Sequence, residues 1–153
     1  MPERRTVEKA KQKLRRGEAP STAAGEFVRE EIRHIRGGKH GARSTKQAIA
    51  IGLSEARRAG VPLPPPKKGV SAKTRASAQR AYEAGQRGGA RRPSRKRARA
   101  VERALKREPR KAASRRALAS QAHRAAARRG GRARSASAKR AARTRRTART
   151  REA

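Results

Sequence analysis

The chain has 153 residues, with 46 Lys+Arg against 11 Asp+Glu and a formal net charge of +35. It has no Cys, no Trp, one Phe and one Tyr, and 33% of its residues are apolar in the broad sense. This excludes a disulfide frame, a thiolate zinc site, a Cys nucleophile and an aromatic stacking platform, and no apolar run approaches the ~20 residues of a membrane-spanning helix.

The charge is unevenly placed. After Pro66 lie 31 basic residues and four acids (Glu83, Glu102, Glu108 and Glu152), a net of +27. The first 66 residues carry 15 basic and seven acidic residues, and nearly all the large apolar side chains.

In chain order, residues 3–16 place Val7, Ala10 and Leu14 at helical spacing, with Thr6 as candidate cap and Gly17 as stop. One apolar stripe makes this helix marginal without a partner. After the break at Glu18-Ala19-Pro20, Ser21 or Thr22 is positioned to cap a second helix. Val28, Ile32 and Ile35 repeat at i, i+4 and i+7 beside Phe27, and Gly37-Gly38 closes the helix. A basic, glycine-rich connector follows, Gly37 to Arg43. Ser44 then caps a third segment, and Gln47 completes a capping-box pattern. Its stripe is Ile49, Leu53 and Ala56, with Ala48 and Gly52 small enough for close helix approach. Gly60-Val61-Pro62 reads as a left-handed cap with its hydrophobic latch and a hard stop.

The fold class expected is therefore all-α. Residues 3–60 form a small helical hairpin, with the 3–16 helix as candidate third member. Residues 61–69 form a proline-rich spacer around Pro64-Pro65-Pro66. Past the spacer the large aliphatics are Val70, Val101, Leu105 and Leu118. Four such side chains cannot offset the roughly 1–2 kcal/mol per residue that backbone ordering costs. Residues 70–153 are thus expected to be disordered, or to form isolated helices with no shared core. Helix grammar persists at 71–86, 94–108 and 110–129, whereas 132–151 reads as fully disordered.

The chemistry of this tail is that of a phosphate binder. Guanidinium groups grip phosphate bidentately and keep their charge at any cellular pH. At one duplex charge per ~1.7 Å, a +27 tail matches about 46 Å of DNA. The expected nucleic-acid contacts are Arg91, Arg92, Arg95, Lys96, Arg97, Arg99, Arg115, Arg116, Arg128, Arg129, Arg132, Arg134, Lys139, Arg140, Arg143, Arg145, Arg146 and Arg149. The connector adds Lys39, Arg43 and Lys46, where glycines and a helix N-terminus offer backbone donors to a phosphate. A solvated loop is the competing reading of that stretch.

Sequence-specific reading is not expected. The connector of about eight residues is longer than a helix-turn-helix turn, and the helix after it offers only Lys46, Gln47, Arg57 and Arg58 to bases. Catalysis has no support either. His34, His40 and His123 lack partners at ligand or triad spacing, His34 reads as solvated, and Glu30-Glu31 read as helix charge balance. No catalytic residue, metal ligand, cofactor, small-molecule substrate or membrane partner is expected. Ser and Thr beside arginines (Ser94, Ser114, Ser135, Ser137, Thr144 and Thr147) are chance acceptors of phosphate in any Arg/Ser-rich tail.

The stretch from Glu26 to Val61, with its core HGARSTKQAIAIGLS-x-ARRAG followed by prolines, resembles a family of small, basic bacterial proteins without an assigned activity. The resemblance covers residues 2–66 and implies a bacterial source. The Ala/basic tail is similar in composition to bacterial histone H1-like proteins, although it is Arg-rich where those are Lys-rich. The resulting expectation is sequence-independent DNA binding and compaction in a bacterial nucleoid, in the cytoplasm, with DNA favoured over RNA. Two rival classes remain open. One is an RNA-binding or ribosome-associated chaperone; the other is an adaptor whose 21–60 module takes a protein partner.

Overall fold

The structure, a computed structural model, describes residues 2–67, 69–88 and 94–151, and the side chains of all of these except 144, 148, 149 and 151. Among the described residues it is all-helical. The α-helices are α1 (Arg4–Arg15), α2 (Pro20–Arg36), α3 (Thr45–Arg58), α4 (Ala72–Gln86), α5 (Arg95–Lys106), α6 (Arg115–Arg128) and α7 (Gly130–Arg151), and a 3-10 turn spans Arg110–Ala113. The chain divides into two compact units, Met1–Ser114 and Arg115–Ala153.

Within the first unit α2 packs on α3, α1 on α2, and α4 on α3. The core between α1, α2 and α3 is Ala10, Ala23, Ala24, Phe27, Ala56 and Val61, with Val7, Leu14, Leu53, Ala59 and Leu63 packed around it. The α1 stripe (Val7, Ala10, Leu14) and Leu53 and Ala56 of α3 are as the i, i+4, i+7 spacing predicts. Helix α2 instead enters this core through Phe27, Ala23 and Ala24, with Ile32 and Ile35 buried outside it and Val28 and Ile49 half-buried. Gly52 is needed at the α2–α3 contact, because a Cβ there would stand 2.7 Å from the Cα of Val28. At the start of α3, Ser44 Oγ accepts from the Gln47 N–H at 3.2 Å, and Gln47 Oε1 accepts from the Arg43 N–H at 2.7 Å. Gly60 has φ +88°, and the N–H of the buried Val61 donates to Ala56 O at 3.1 Å. The Ser44 cap and the Gly60 turn are thus as the sequence predicts, whereas Gln47 reaches back to the N–H of Arg43 rather than to that of Ser44, one residue beyond a capping box.

The starts of α1 and α2 are not. Helix α1 begins before Thr6, which is buried inside it, and α2 begins with Pro20 in its first turn and no side-chain cap. Proline needs no N–H partner there and comes with its φ already helical, so no cap from Ser21 or Thr22 is required.

The expectation of a two- or three-helix hairpin followed by a tail that is disordered, or made of isolated helices with no shared core, is overturned. Helix α4 and the 110–113 turn pack onto the hairpin, and α5, α6 and α7 are helical. The reason for the packing is close backbone approach rather than large side chains. A Cβ on Gly85 would collide with the carbonyl of Arg57, and one on Gly41 with the carbonyl of Glu108. Small residues bring main chains together, so Ala78, Ala81, Ala112 and Ala113 suffice to fill the contacts. Helicity in α6 and α7 follows from Ala and Arg, both strong helix formers, in a stretch without proline after Pro109. Residues 132–151, expected to be fully disordered, all lie in α7, whose first residue Gly130 has φ +69°.

The proline stretch is held by one side chain. Arg57, which the sequence alone leaves open to bases, is 7% exposed and donates through Nε to Leu63 O at 3.1 Å and through its terminal nitrogens to Leu53 O and Pro64 O at 3.5 and 3.4 Å. Burial lowers the pKa of this guanidinium.

Candidate functional site

Two features carry chemistry: a basic surface, and an acid–histidine cluster on α2. Of the residues expected to contact phosphate, Lys39, Arg43 and Lys46 are exposed, as are Arg95, Lys96, Arg97 and Arg99 on α5. In the second unit Arg115, Arg116, Arg128, Arg129, Arg132, Arg134, Lys139, Arg140, Arg143, Arg145 and Arg146 are exposed. Arg91 and Arg92, and the side chain of Arg149, lie outside the described residues. No acid falls between Pro109 and Arg151. Helix α7 holds Arg132, Arg134, Lys139, Arg140, Arg143, Arg145, Arg146, Arg149 and Arg151 over its 22 residues. At a rise of ~1.5 Å per residue that is one cation per ~3.7 Å, near the ~3.4 Å per phosphate of one DNA strand.

The connector's backbone donors at Lys39, Gly41, Ala42 and Arg43 are not open to a phosphate. The Gly41 N–H donates to Leu105 O at 2.9 Å, the Ala42 N–H to Pro109 O at 3.1 Å, and the Lys39 N–H to His34 O at 3.0 Å. With the Arg43 N–H taken by Gln47, these donors are satisfied inside the chain. The glycines bring the backbone of residues 105–109 close. The 110–113 turn is secured by the Thr45 hydroxyl donating to Ala112 O at 2.7 Å and Arg36 Nε to Ala113 O at 2.8 Å.

The acid–histidine cluster joins Glu30, Glu31 and His34 of α2 with His40 of the connector and Glu3 at the start of α1. Residues three and four apart share a helix face, so Glu30, Glu31 and His34 project together. Glu30 and Glu31 are 2% and 3% exposed. His34 Nε2 lies 3.2 Å from Glu3 Oε1 and 3.6 Å from Glu30 Oε1, and His40 Nε2 lies 3.6 Å from Glu31 Oε2. The two imidazoles stand edge to face, with centroids 6.5 Å apart. Glu30 Oε1 also accepts the Glu3 N–H at 2.9 Å, while Arg33 and Lys39 reach only the exposed Glu3.

The electrostatics are split by depth. At the rim, a hydrogen bond from His34, then Arg33 and Lys39, holds the Glu3 carboxyl below the usual range. Deeper in, burial pushes the Glu31 carboxyl up and Glu55 adds to the push, against the pull of His40. Burial likewise raises Glu55, and Glu30 contributes to that shift. Glu30 Oε2 and Glu31 Oε1 are buried with no hydrogen-bond partner among the described residues. The reading of His34 as solvated and of Glu30-Glu31 as helix charge balance is therefore corrected. The local signal was the Glu31-x-x-His34 spacing; the missing part was His40, which only the fold of the connector brings near.

Residues 3–68 match the model of a family described as a family of unknown function (DUF6496). No curated protein and no solved structure matches the chain. The matched segment holds α1, α2, the connector, α3 and the proline stretch, so it includes Glu3, Glu30, Glu31, His34 and His40 and excludes α4 through α7.

Proposed function

We propose that the protein binds nucleic-acid backbones without reading base sequence, duplex DNA above all, and compacts duplexes in the manner of a histone-like nucleoid protein. The observation that carries this reading is the run from Pro109 to Arg151. It is helical over Arg115–Arg128 and Gly130–Arg151, is studded with exposed arginines, and contains no acid. Bidentate guanidinium contacts and counterion release supply affinity from such a surface with no fixed partner geometry.

The test uses the full chain. Arg132, Lys139, Arg143 and Arg146 fall near one side of α7 by helical period, and all four are exposed. Replacing them together by Gln should weaken duplex binding and reduce the slope of log affinity against log salt by about 0.9 for each phosphate no longer neutralised. Scrambled duplexes of equal length should bind alike. An unchanged slope, or one duplex held ~10³-fold tighter than its scrambled form, would defeat the reading. Tighter binding of structured RNA at every salt concentration would replace DNA with RNA as the ligand.

A further inference from the structure

We propose that Glu31, His34 and His40 bind one divalent transition-metal ion of the Zn2+ class, independently of the nucleic-acid reading above. Each of the three offers one ligand atom, and these atoms lie within 4.8 Å of one another. Two His and one carboxylate, completed by water, make a set that suits a tetrahedral borderline metal. Mg2+ and Ca2+ prefer all-oxygen sites.

Three observations carry the assignment. The first is the orphaned oxygens. The basic side chains within 4 Å of the Glu30 and Glu31 carboxylates among the described residues are the imidazoles of His34 and His40, although the chain holds 46 Lys+Arg. One oxygen of each carboxylate has no hydrogen-bond partner. A buried carboxylate left so is costly unless a cation completes it.

The second is the tautomer of His40. Its Nδ1 lies 3.1 Å from the carbonyl of Gly41, which can only accept, so Nδ1 carries the proton. With Nδ1 so engaged, Nε2 is the ring atom left to face Glu31 Oε2, at 3.6 Å and beyond hydrogen-bond length. A backbone carbonyl on the far nitrogen is the usual way a metal-binding imidazole is fixed. The third is fit. Bonds of ~2.1 Å in a tetrahedron place neighbouring ligand atoms about 3.4 Å apart, close to the His40–Glu31 separation.

The full chain, stripped with a chelator and dialysed, is titrated with ZnCl2 by calorimetry, and bound zinc is counted by elemental analysis. The expected result is one Zn2+ per chain, weakened at least about tenfold in H40Q and in E31Q, with H123Q unchanged and excess Mg2+ failing to compete. Circular dichroism checks that each variant keeps its helicity. If either does not, NMR of the unsubstituted chain decides: Zn2+ should shift the ring resonances of His34 and His40 and leave those of His123 in place. No stoichiometric binding, equal affinity in H40Q and H123Q, or ring shifts spread over all three histidines would overturn the site and leave an acid–imidazolium ion-pair cluster.

Discussion

At the residue scale, the buried Glu26 of α2 and the half-buried Glu55 of α3 act on stability in opposite directions. Glu26 is 6% exposed; burial alone would raise its pKa, but Lys13 at 2.7 Å and Arg29 at 2.8 Å overcompensate and lower it. A lowered carboxyl contributes stability that is present above its unfolded value of about 4.3 and is lost as pH falls through the folded value. Glu55 is the reverse. Its raised carboxyl imposes a penalty that is absent in acid, sets in as pH rises through the unfolded value of about 4.3 and is fully present above the folded value. Glu26→Gln is therefore expected to destabilise by about 1–3 kcal/mol at pH 7. Glu55→Gln should raise the melting temperature at pH 7, and both differences should shrink towards about pH 3.5. Melting curves of the chelator-treated protein at the two pH values check this. A lower melting temperature for the Glu55 variant at pH 7 would refute the sign.

At the element scale, glycine decides which helices meet. Gly85 in α4 lies against the Arg57 carbonyl at the end of α3. Ala there improves intrinsic helix propensity by about 1 kcal/mol, yet the added methyl has no room. Overpacking of this kind costs about 1–3 kcal/mol, so undocking should win. Gly85→Ala is expected to leave the helical signal intact while amides around Ala78 and Ala81 exchange faster. Slower exchange there would mean that propensity outweighs the clash.

The same element shows what the sequence makes legible. The stripes of α1 and α3, with Phe27 of α2, show as an apolar period, and the cap at Ser44 and the turn at Gly60 as local grammar, so they can be read without tertiary information, whereas Ala23 and Ala24 of α2 leave no such mark. The docking of α4 and of residues 105–113 is written in Ala and Gly, whose burial leaves no hydrophobic period. Counting large aliphatics after Pro66 therefore underestimates how much of the chain packs. His40 and Arg57 are missed for a related reason. Their roles are set by which carbonyl or carboxylate the fold brings to them, whereas the exposed arginines need only composition.

At the scale of the whole molecule, a net charge of +35 works against its own helices. Like charges three and four residues apart, such as Lys139 with Arg143 and Arg143 with Arg146, destabilise a helix by roughly 0.2–0.5 kcal/mol per pair. Salt shortens the Debye length from ~30 Å at 0.01 M to ~8 Å at 0.15 M. Helicity of the full chain is therefore expected to rise between those salt concentrations, read by far-ultraviolet circular dichroism. A fall, or no change, would mean that repulsion is not what limits α6 and α7. The same salt weakens phosphate binding, so the two readouts should move in opposite directions.

The hydrogen bonds of Gly41 and Ala42 to the carbonyls of Leu105 and Pro109 have a final consequence. Residues 105–113 act as a ligand that the chain carries for its own connector, delivered on a tether that starts beyond Pro66. A tethered ligand meets its receptor at an effective concentration in the millimolar range. An interaction of only millimolar intrinsic affinity is thereby held closed about half the time, and a tenfold tighter one nearly always. The connector and its ligand can thus be individually weak and still form a lasting contact. A competitor in solution that binds the connector no more tightly than residues 105–113 do must exceed that local concentration before it can displace them.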